Sequence, residues 1–123
     1  MVVETLSDIE TDHIFQALAD ATRRDIVTRV LQEEASVSTL AQKYAMSFAA
    51  VQKHVSVLEK AGLVSKERRG REQIVHGDVG TVRAAARLLG QYEDLWRARI
   101  GRLEDVLAEP QEENPHARRQ HLP

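Results

Sequence analysis

Residues 38–62 constrain the chain more than any other stretch: Ser-Thr-Leu-Ala-Gln-Lys-Tyr-Ala-Met-Ser-Phe-Ala-Ala-Val-Gln-Lys-His-Val-Ser-Val-Leu-Glu-Lys-Ala-Gly. They read as two short helices joined by a tight turn. Ser38 is a candidate N-cap, because its hydroxyl can accept a bond from an orphan backbone N–H of the first turn. Leu40, Ala41 and Tyr44 then recur at helical spacing, and Ala45-Met46 makes the turn. Ser47 can cap the second helix, which runs over 47–61. Gly62 stands where a left-handed residue ends a helix.

The second helix has two faces. Ala50, Val51, His54, Val55 and Leu58 fall on one side at intervals of three and four, the pattern of a helix packed on a core. Phe48, Ala49, Gln52, Lys53, Ser56 and Lys60 fall elsewhere. A soluble helix gains nothing by exposing Phe48 beside Gln52 and Lys53 unless something docks there. An amide, a cation, small residues and an aromatic are what a major-groove helix carries. Gln pairs with adenine, Lys with guanine or phosphate, and apolar groups meet the thymine methyl. The unit is therefore expected to be a helix-turn-helix that binds double-stranded DNA, with 47–61 as its recognition helix.

The next residues extend this reading. Leu63 to Lys66 is apolar and β-compatible, Glu67-Arg68-Arg69-Gly70-Arg71-Glu72 reads as a charged turn, and Gln73 to His76 as a second short strand. A helix-turn-helix followed by a basic hairpin is a winged helix. Ser47, Phe48, Ala49, Gln52, Lys53 and Ser56, with Arg68, Arg69 and Arg71 of the wing, are the candidate DNA-binding residues. The helix residues would meet base edges; Ser47 and the arginines would meet phosphates and the flanking minor groove. Residues 38–76 hold seven Lys and Arg against three Glu, a balance of +4 in a chain whose net charge is −2. The positive charge thus gathers where the duplex would lie.

Several ordered motifs now carry a resemblance. The run Leu18-Ala-Asp-Ala-Thr-Arg-Arg-Asp-Ile-Val27, then Met46-Ser47 through Val51, Lys53-His54-Val55, Val57-Leu58 and Ala61-Gly62-Leu63-Val64, resembles the arsenic-repressor-like (ArsR) family of bacterial winged-helix regulators. It covers roughly residues 13–100. Ala21 departs from the pattern, since relatives often carry proline there. The resemblance implies a mainly α fold of about five helices with a two-stranded wing. It also implies a homodimer through the first and last helices, and a repressor acting on its own operon.

The remaining chain is consistent with that architecture. Residues 1–7 read as a flexible start, 8–109 as one domain and 110–123 as a disordered tail, polar and with prolines. Asp8 to Ala19 carries Ile9, Ile14, Phe15 and Leu18 at helical spacing. Asp20 caps a helix over 21–34, with Ile26, Val27, Val30 and Leu31 inward. Arg23 and Arg24 stand near its start, against the dipole preference; Arg23 is expected to pair with a nearby acid rather than a phosphate. Ala35-Ser36-Val37 is a stub strand. Tyr44 is read as core, and His54 as bonding neighbouring backbone.

From Asp78 to Leu107 runs a long helix, capped by Asp78 or Thr81, whose apolar stripe outruns what one small core can cover. Such a seam usually marks an interface. The candidate dimer residues are Ile14, Phe15 and Leu18 with Leu89, Tyr92, Trp96, Ile100 and Leu103. Tyr92 and Trp96 are either its anchors or monomer core.

Other classes are excluded or demoted. No Gly-rich phosphate loop, nucleophile–histidine pairing or carboxylate cluster points to an enzyme. There is no apolar run long enough to span a membrane and no basic, apolar leader at the start, so a cytoplasmic protein is expected. There is no cysteine, hence no disulfide or thiol switch. The family's arsenic-type Cys-x-Cys has no counterpart in Val37-Ser38-Thr39-Leu40-Ala41. Its zinc-type site needs histidine on the last helix, and residues 79–107 contain none. The resemblance is therefore to the metal-independent branch, with no cofactor and no metal ligands. Two alternatives stay open: a nickel, cobalt or zinc site of His116 and His121 with His13 or Glu112, and a dimeric adaptor that does not bind DNA.

Overall fold

The computed structural model describes residues 6–108, so the tail with His116 and His121 lies outside the described residues. Helix α1 spans Asp8–Ala17. It begins at a capping box: Ser7 Oγ accepts from the Glu10 N–H, and Glu10 accepts from the Ser7 N–H. Ser7, which the composition assigns to the flexible start, is thus the N-cap of α1. Helix α2 spans Ala21–Gln32 with Asp20 as its cap, as expected of that aspartate.

Strand β1 is Ala35–Ser36, and helix α3 is Val37–Ala41. The cap of α3 is Ser36, not Ser38. Its backbone is extended and its hydroxyl accepts from the Thr39 N–H, which draws Val37 and Leu40 together into the core. The helix ends at Ala41, so Tyr44 lies in the turn that follows. Helix α4 spans Phe48–Lys60 and is capped by Ser47, whose Oγ accepts from the Ala50 N–H at 3.1 Å. Val51, Val55 and Leu58 are fully buried along one face. At its end Gly62 adopts φ +79°. The Leu63 N–H reaches back to the Leu58 carbonyl and the Gly62 N–H to that of Glu59, a Schellman ending.

Strands β2 (Val64–Arg69) and β3 (Glu72–Gly77) form the wing, and β1 joins β3 to make a three-stranded antiparallel sheet in the order β1-β3-β2. Arg69 pairs with Glu72, so only Gly70 and Arg71 form the turn. The charged stretch 67–72 is therefore mostly strand, because Glu67 to Arg69 find ladder partners in Glu72 to Ile74.

Helix α5 spans Val79–Ala108, its first turn held by Asp78 Oδ1, which accepts from the Thr81 N–H. The start of α5 and the end of α4 meet at one corner. The Asp78 N–H donates to the Leu63 carbonyl at 2.9 Å, and a Cβ on Gly62 would lie 3.3 Å from Thr81 Oγ1.

The chain divides between Ala86 and Arg87 into two compact units. The first holds the core, built from Ile14, Ile26, Leu40, Val51, Leu58 and Val75 among others, with Ala85 closing it. In the second, the described residues are helix alone, and Leu89, Tyr92, Leu95, Trp96 and Leu103 are exposed on it, Trp96 at 56%. Ile14 does not fit a dimer surface. It is 1% exposed within the single chain, so its side chain is already covered by its own core. Phe15 is partly exposed and Leu18 half-buried.

Candidate nucleic-acid interface

The outer face of α4 follows from the way its inner face is packed. With Val51, Val55 and Leu58 turned into the core, helical geometry puts Phe48, Ala49, Gln52 and Lys53 outward. All four are exposed, Phe48 at 47%. A large apolar ring so placed has no packing reason to be there. Ser56 is half-buried on the same helix. The Ser47 hydroxyl uses a lone pair to cap α4, which leaves its hydrogen to donate outward. The six candidates on this helix thus occupy one continuous surface around its N-terminal half.

The wing arginines do not behave alike. Arg71 sits in the exposed turn. Arg68 is exposed and donates through Nε to the Gly70 carbonyl at 3.1 Å, bracing that turn. Arg69 has another job. Its guanidinium donates to Glu34 at 2.7 Å and to Glu67 at 3.0 Å. Those bonds push its pKa further up, so the charge is permanent, but it is neutralised inside the chain. In the free chain Arg69 is thus engaged by its own acids, and a phosphate contact would require it to exchange them. His76 completes the cluster, with one ring nitrogen 2.8 Å from Glu67 and the other 3.3 Å from Glu34. Arg69 holds the Glu34 carboxyl below the usual carboxylate range. His76 first and Arg69 second do the same for Glu67. On the other side of β2, Lys66 pairs with Glu59 in the last turn of α4. The wing is thereby tied both to the residues after α2 and to the recognition helix.

Two further polar groupings position the site. Tyr44 donates to Asp25 Oδ2 at 2.6 Å, and Arg29 pairs with the same oxygen at 2.8 Å while lying over the Tyr44 ring. This fixes the turn between α3 and α4 against α2. Burial and the Asp25 bond push the Tyr44 phenol up to about 12. The Tyr44 and Arg29 bonds hold Asp25 below the usual carboxylate range. Tyr44 is thus half-buried, but as a hydrogen-bonding clamp more than a packing residue.

Arg23 forms the second grouping. Its Nε and Nη2 donate to the carbonyls of Ala17 and Gln16, and its Nη1 stands 3.3 Å from His54 Nδ1. His54 therefore bonds a side chain rather than neighbouring backbone. The Asp20 carboxylate is 4.0 Å from Arg23, so the acid pairing is the weaker of its contacts. Two arginines placed against the local helix dipole are the signal in the sequence. They sit there to satisfy the last carbonyls of the preceding helix, as Arg24 also does on the Leu18 carbonyl.

Among the described residues, no group of three or more His, Cys, Asp and Glu is placed to hold a metal ion, and no helix is long and apolar enough to cross a membrane.

Comparison with known proteins agrees with this geometry. A family model described as a helix-turn-helix domain matches residues 18–67. The chain is 39% identical over 72 residues to an uncharacterised HTH-type transcriptional regulator, YuzN, of Bacillus subtilis, an overlap of 52% of this chain and 77% of that one. Among solved structures, an ArsR-like transcriptional regulator from Rhodococcus sp. RHA1 is similar at a TM-score of 0.70 and 30% identity, over 80% of this chain and 92% of that one. A homodimeric winged helix-turn-helix DNA-binding domain from Mycobacterium bovis shares the fold at a TM-score of 0.58 and 22% identity, over 76% and 92% of the two chains.

Proposed function

The chain belongs to the ArsR family of helix-turn-helix transcriptional regulators, and within that family we propose that it is a dimeric repressor reading an inverted-repeat operator, without metal at the family's usual positions. It is a regulator and not an enzyme. The observation that carries the proposal is the outward face of α4. An exposed phenylalanine, an amide and a lysine stand together on a helix whose other face is locked into the core.

Gln52 and Lys53 would read base edges, and Phe48 and Ala49 would contact thymine methyls. Ser47, Arg68 and Arg71 would meet the backbone on either side. The exposed apolar row of α5, from Leu89 through Tyr92, Trp96 and Ile100 to Leu103, supports pairing with a second copy of the chain. Phe15 and Leu18 of α1 can share in it. The Mycobacterium bovis domain, which shares the fold, is itself described as homodimeric. A twofold dimer offers two recognition helices roughly 34 Å apart, one turn of DNA, which is why the operator should be an imperfect inverted repeat. A dimer seated over a promoter blocks polymerase.

The test is titration of the purified protein into its own upstream DNA and into a scrambled duplex. It is run at several salt concentrations, with and without zinc or nickel, with sedimentation of the complex in parallel. Expected are two chains per site, preference for the natural duplex, and log affinity falling linearly with log salt, whether or not metal is added. Salt-insensitive association, or equal affinity for both duplexes, would overturn sequence-specific reading of this DNA. Release by metal would overturn metal independence.

A further inference from the structure

We propose that Arg23 is a positioning residue for the recognition helix, acting through His54, and that it does so only while His54 is neutral. The inference rests on the DNA-reading role of α4 given above.

Three elements converge on one guanidinium. Arg23 stands in the first turn of α2. Its Nε and Nη2 take the Ala17 and Gln16 carbonyls at the end of α1, at 2.7 and 3.1 Å. Its remaining arm, Nη1, reaches His54 in the middle of α4 at 3.3 Å. The side chain is only 18% exposed, so the contact is made largely out of water. His54 lies one residue from Lys53 and two from Gln52, so the bond that sets its place sets the pitch of the reading face.

The chemistry of the pair fixes the protonation state. A guanidinium has five N–H donors and no acceptor. His54 Nδ1 must therefore be the acceptor, and the ring's one proton must sit on Nε2. An imidazolium would present an N–H to an N–H, and a positive charge to a positive charge. Two charged groups at the start of α2, Arg23 and Asp20, act on His54. The Asp20 carboxylate attracts an imidazolium, but one oxygen is engaged by the Arg23 N–H at 3.0 Å and the other stands 4.0 Å from the guanidinium. From α1 the cluster meets the Ala17 and Gln16 carbonyls, each of which accepts from Arg23. Proton uptake by His54 thus removes the contact. Histidine changes charge between about pH 5 and 8. The arrangement that reads DNA excludes the proton, so specific affinity is present at the upper end of that range and lost as pH falls.

The experiment has two arms. In the free protein, two-bond proton–nitrogen correlations of the His54 ring should show the Nε2–H tautomer near neutrality, and Arg23→Lys should alter that pattern. An Nδ1–H tautomer in the unaltered protein would overturn the proposal whatever the protein does with DNA. In the second arm, affinity for the upstream duplex over the scrambled one is measured across the same pH range, for the unaltered chain and for His54→Asn. The carboxamide introduced by that substitution can still accept from Arg23 but does not titrate. The unaltered chain should lose about tenfold or more of its preference on acidification, the scale of one hydrogen bond to a charged group; His54→Asn should hold its preference. Superimposable pH profiles for the two would overturn the proposal. Failure of both proteins to prefer the duplex at every pH would instead refute the DNA-reading role on which it rests.

Discussion

The recognition helix and the wing look alike in the sequence and differ in the fold. Each is a short, cation-bearing stretch expected to meet a duplex. On α4, Gln52 and Lys53 stand exposed with no partner among the described residues. On the wing, Arg69 is bonded to Glu34 and Glu67, and Lys66 to Glu59. Arg69 is held by acids on its own strand and just after α2, and Lys66 by one in the last turn of α4. A count of charge along the chain locates cations, but only the fold decides which remain available to a phosphate. The outer face of the helix is left open. Apart from Arg71 and the exposed Arg68, the wing is built to stay in place.

That contrast can be broken most directly at the helix. Lys53→Ala and Gln52→Ala should each remove about 1–3 kcal/mol of discrimination between the operator and a scrambled duplex, the worth of one good base contact. The fold and sedimentation mass should stay unchanged. If both variants keep their preference, α4 is not the reader and the two regions are not divided as described. A smaller effect separates the wing arginines. Arg71→Ala should flatten the log–log salt slope by about one unit, as loss of a phosphate contact does. Arg69→Ala should leave the slope alone and lower the melting temperature instead. The reverse result would make Arg69 a phosphate ligand that exchanges its acids for DNA.

The smallest effect concerns acid. Glu34 and Glu67 have folded-state pKa values below the usual carboxylate range. Their contribution is therefore complete above that range and is lost as pH falls through the lowered folded values. Amide protection factors across the wing, residues 67–72, should drop only in strongly acidic solution. In Glu34→Gln they should already be lower near neutrality. Equal protection in the two proteins at neutral pH would mean that the ladder, and not the ion cluster, holds the wing.

Where local chemistry decides, the sequence was legible. Asp20 and Ser47 as caps, Gly62 as the left-handed ending and the inward face of α4 each follow from the preferences of a few adjacent residues. So does the stub strand that completes the sheet. What escaped depends on partners far along the chain. Ser36 and Ser38 are equally good caps in isolation; Ser36 takes the role because Ala35 and Ser36 pair with Val75 and Ile74, fixing where the strand ends. Tyr44 leaves the helical pattern because Asp25 awaits its hydroxyl. Arg69 is engaged by Glu34, on the far side of the helix-turn-helix in sequence. Ile14 looks like any other member of an apolar stripe, and only the packing of α1 on α4 turns it inward. In the candidate site the outward face of α4 was legible, whereas the contact of Arg23 with His54 was visible only as an oddly placed arginine and an inward histidine.

The corner between α4 and α5 bears on how rotation passes through the molecule. The Asp78 N–H is bonded to the Leu63 carbonyl, and Gly62 approaches Thr81 so closely that a methyl group there would press on its hydroxyl. The last turn of α4 and the first turn of α5 are therefore geared. The wing separates the two helices in the chain, so what couples them is this contact alone: one hydrogen bond and one close approach. The start of α5 and the end of α4 thus share a fixed point, and a rearrangement at either helix end has to break it or carry it along.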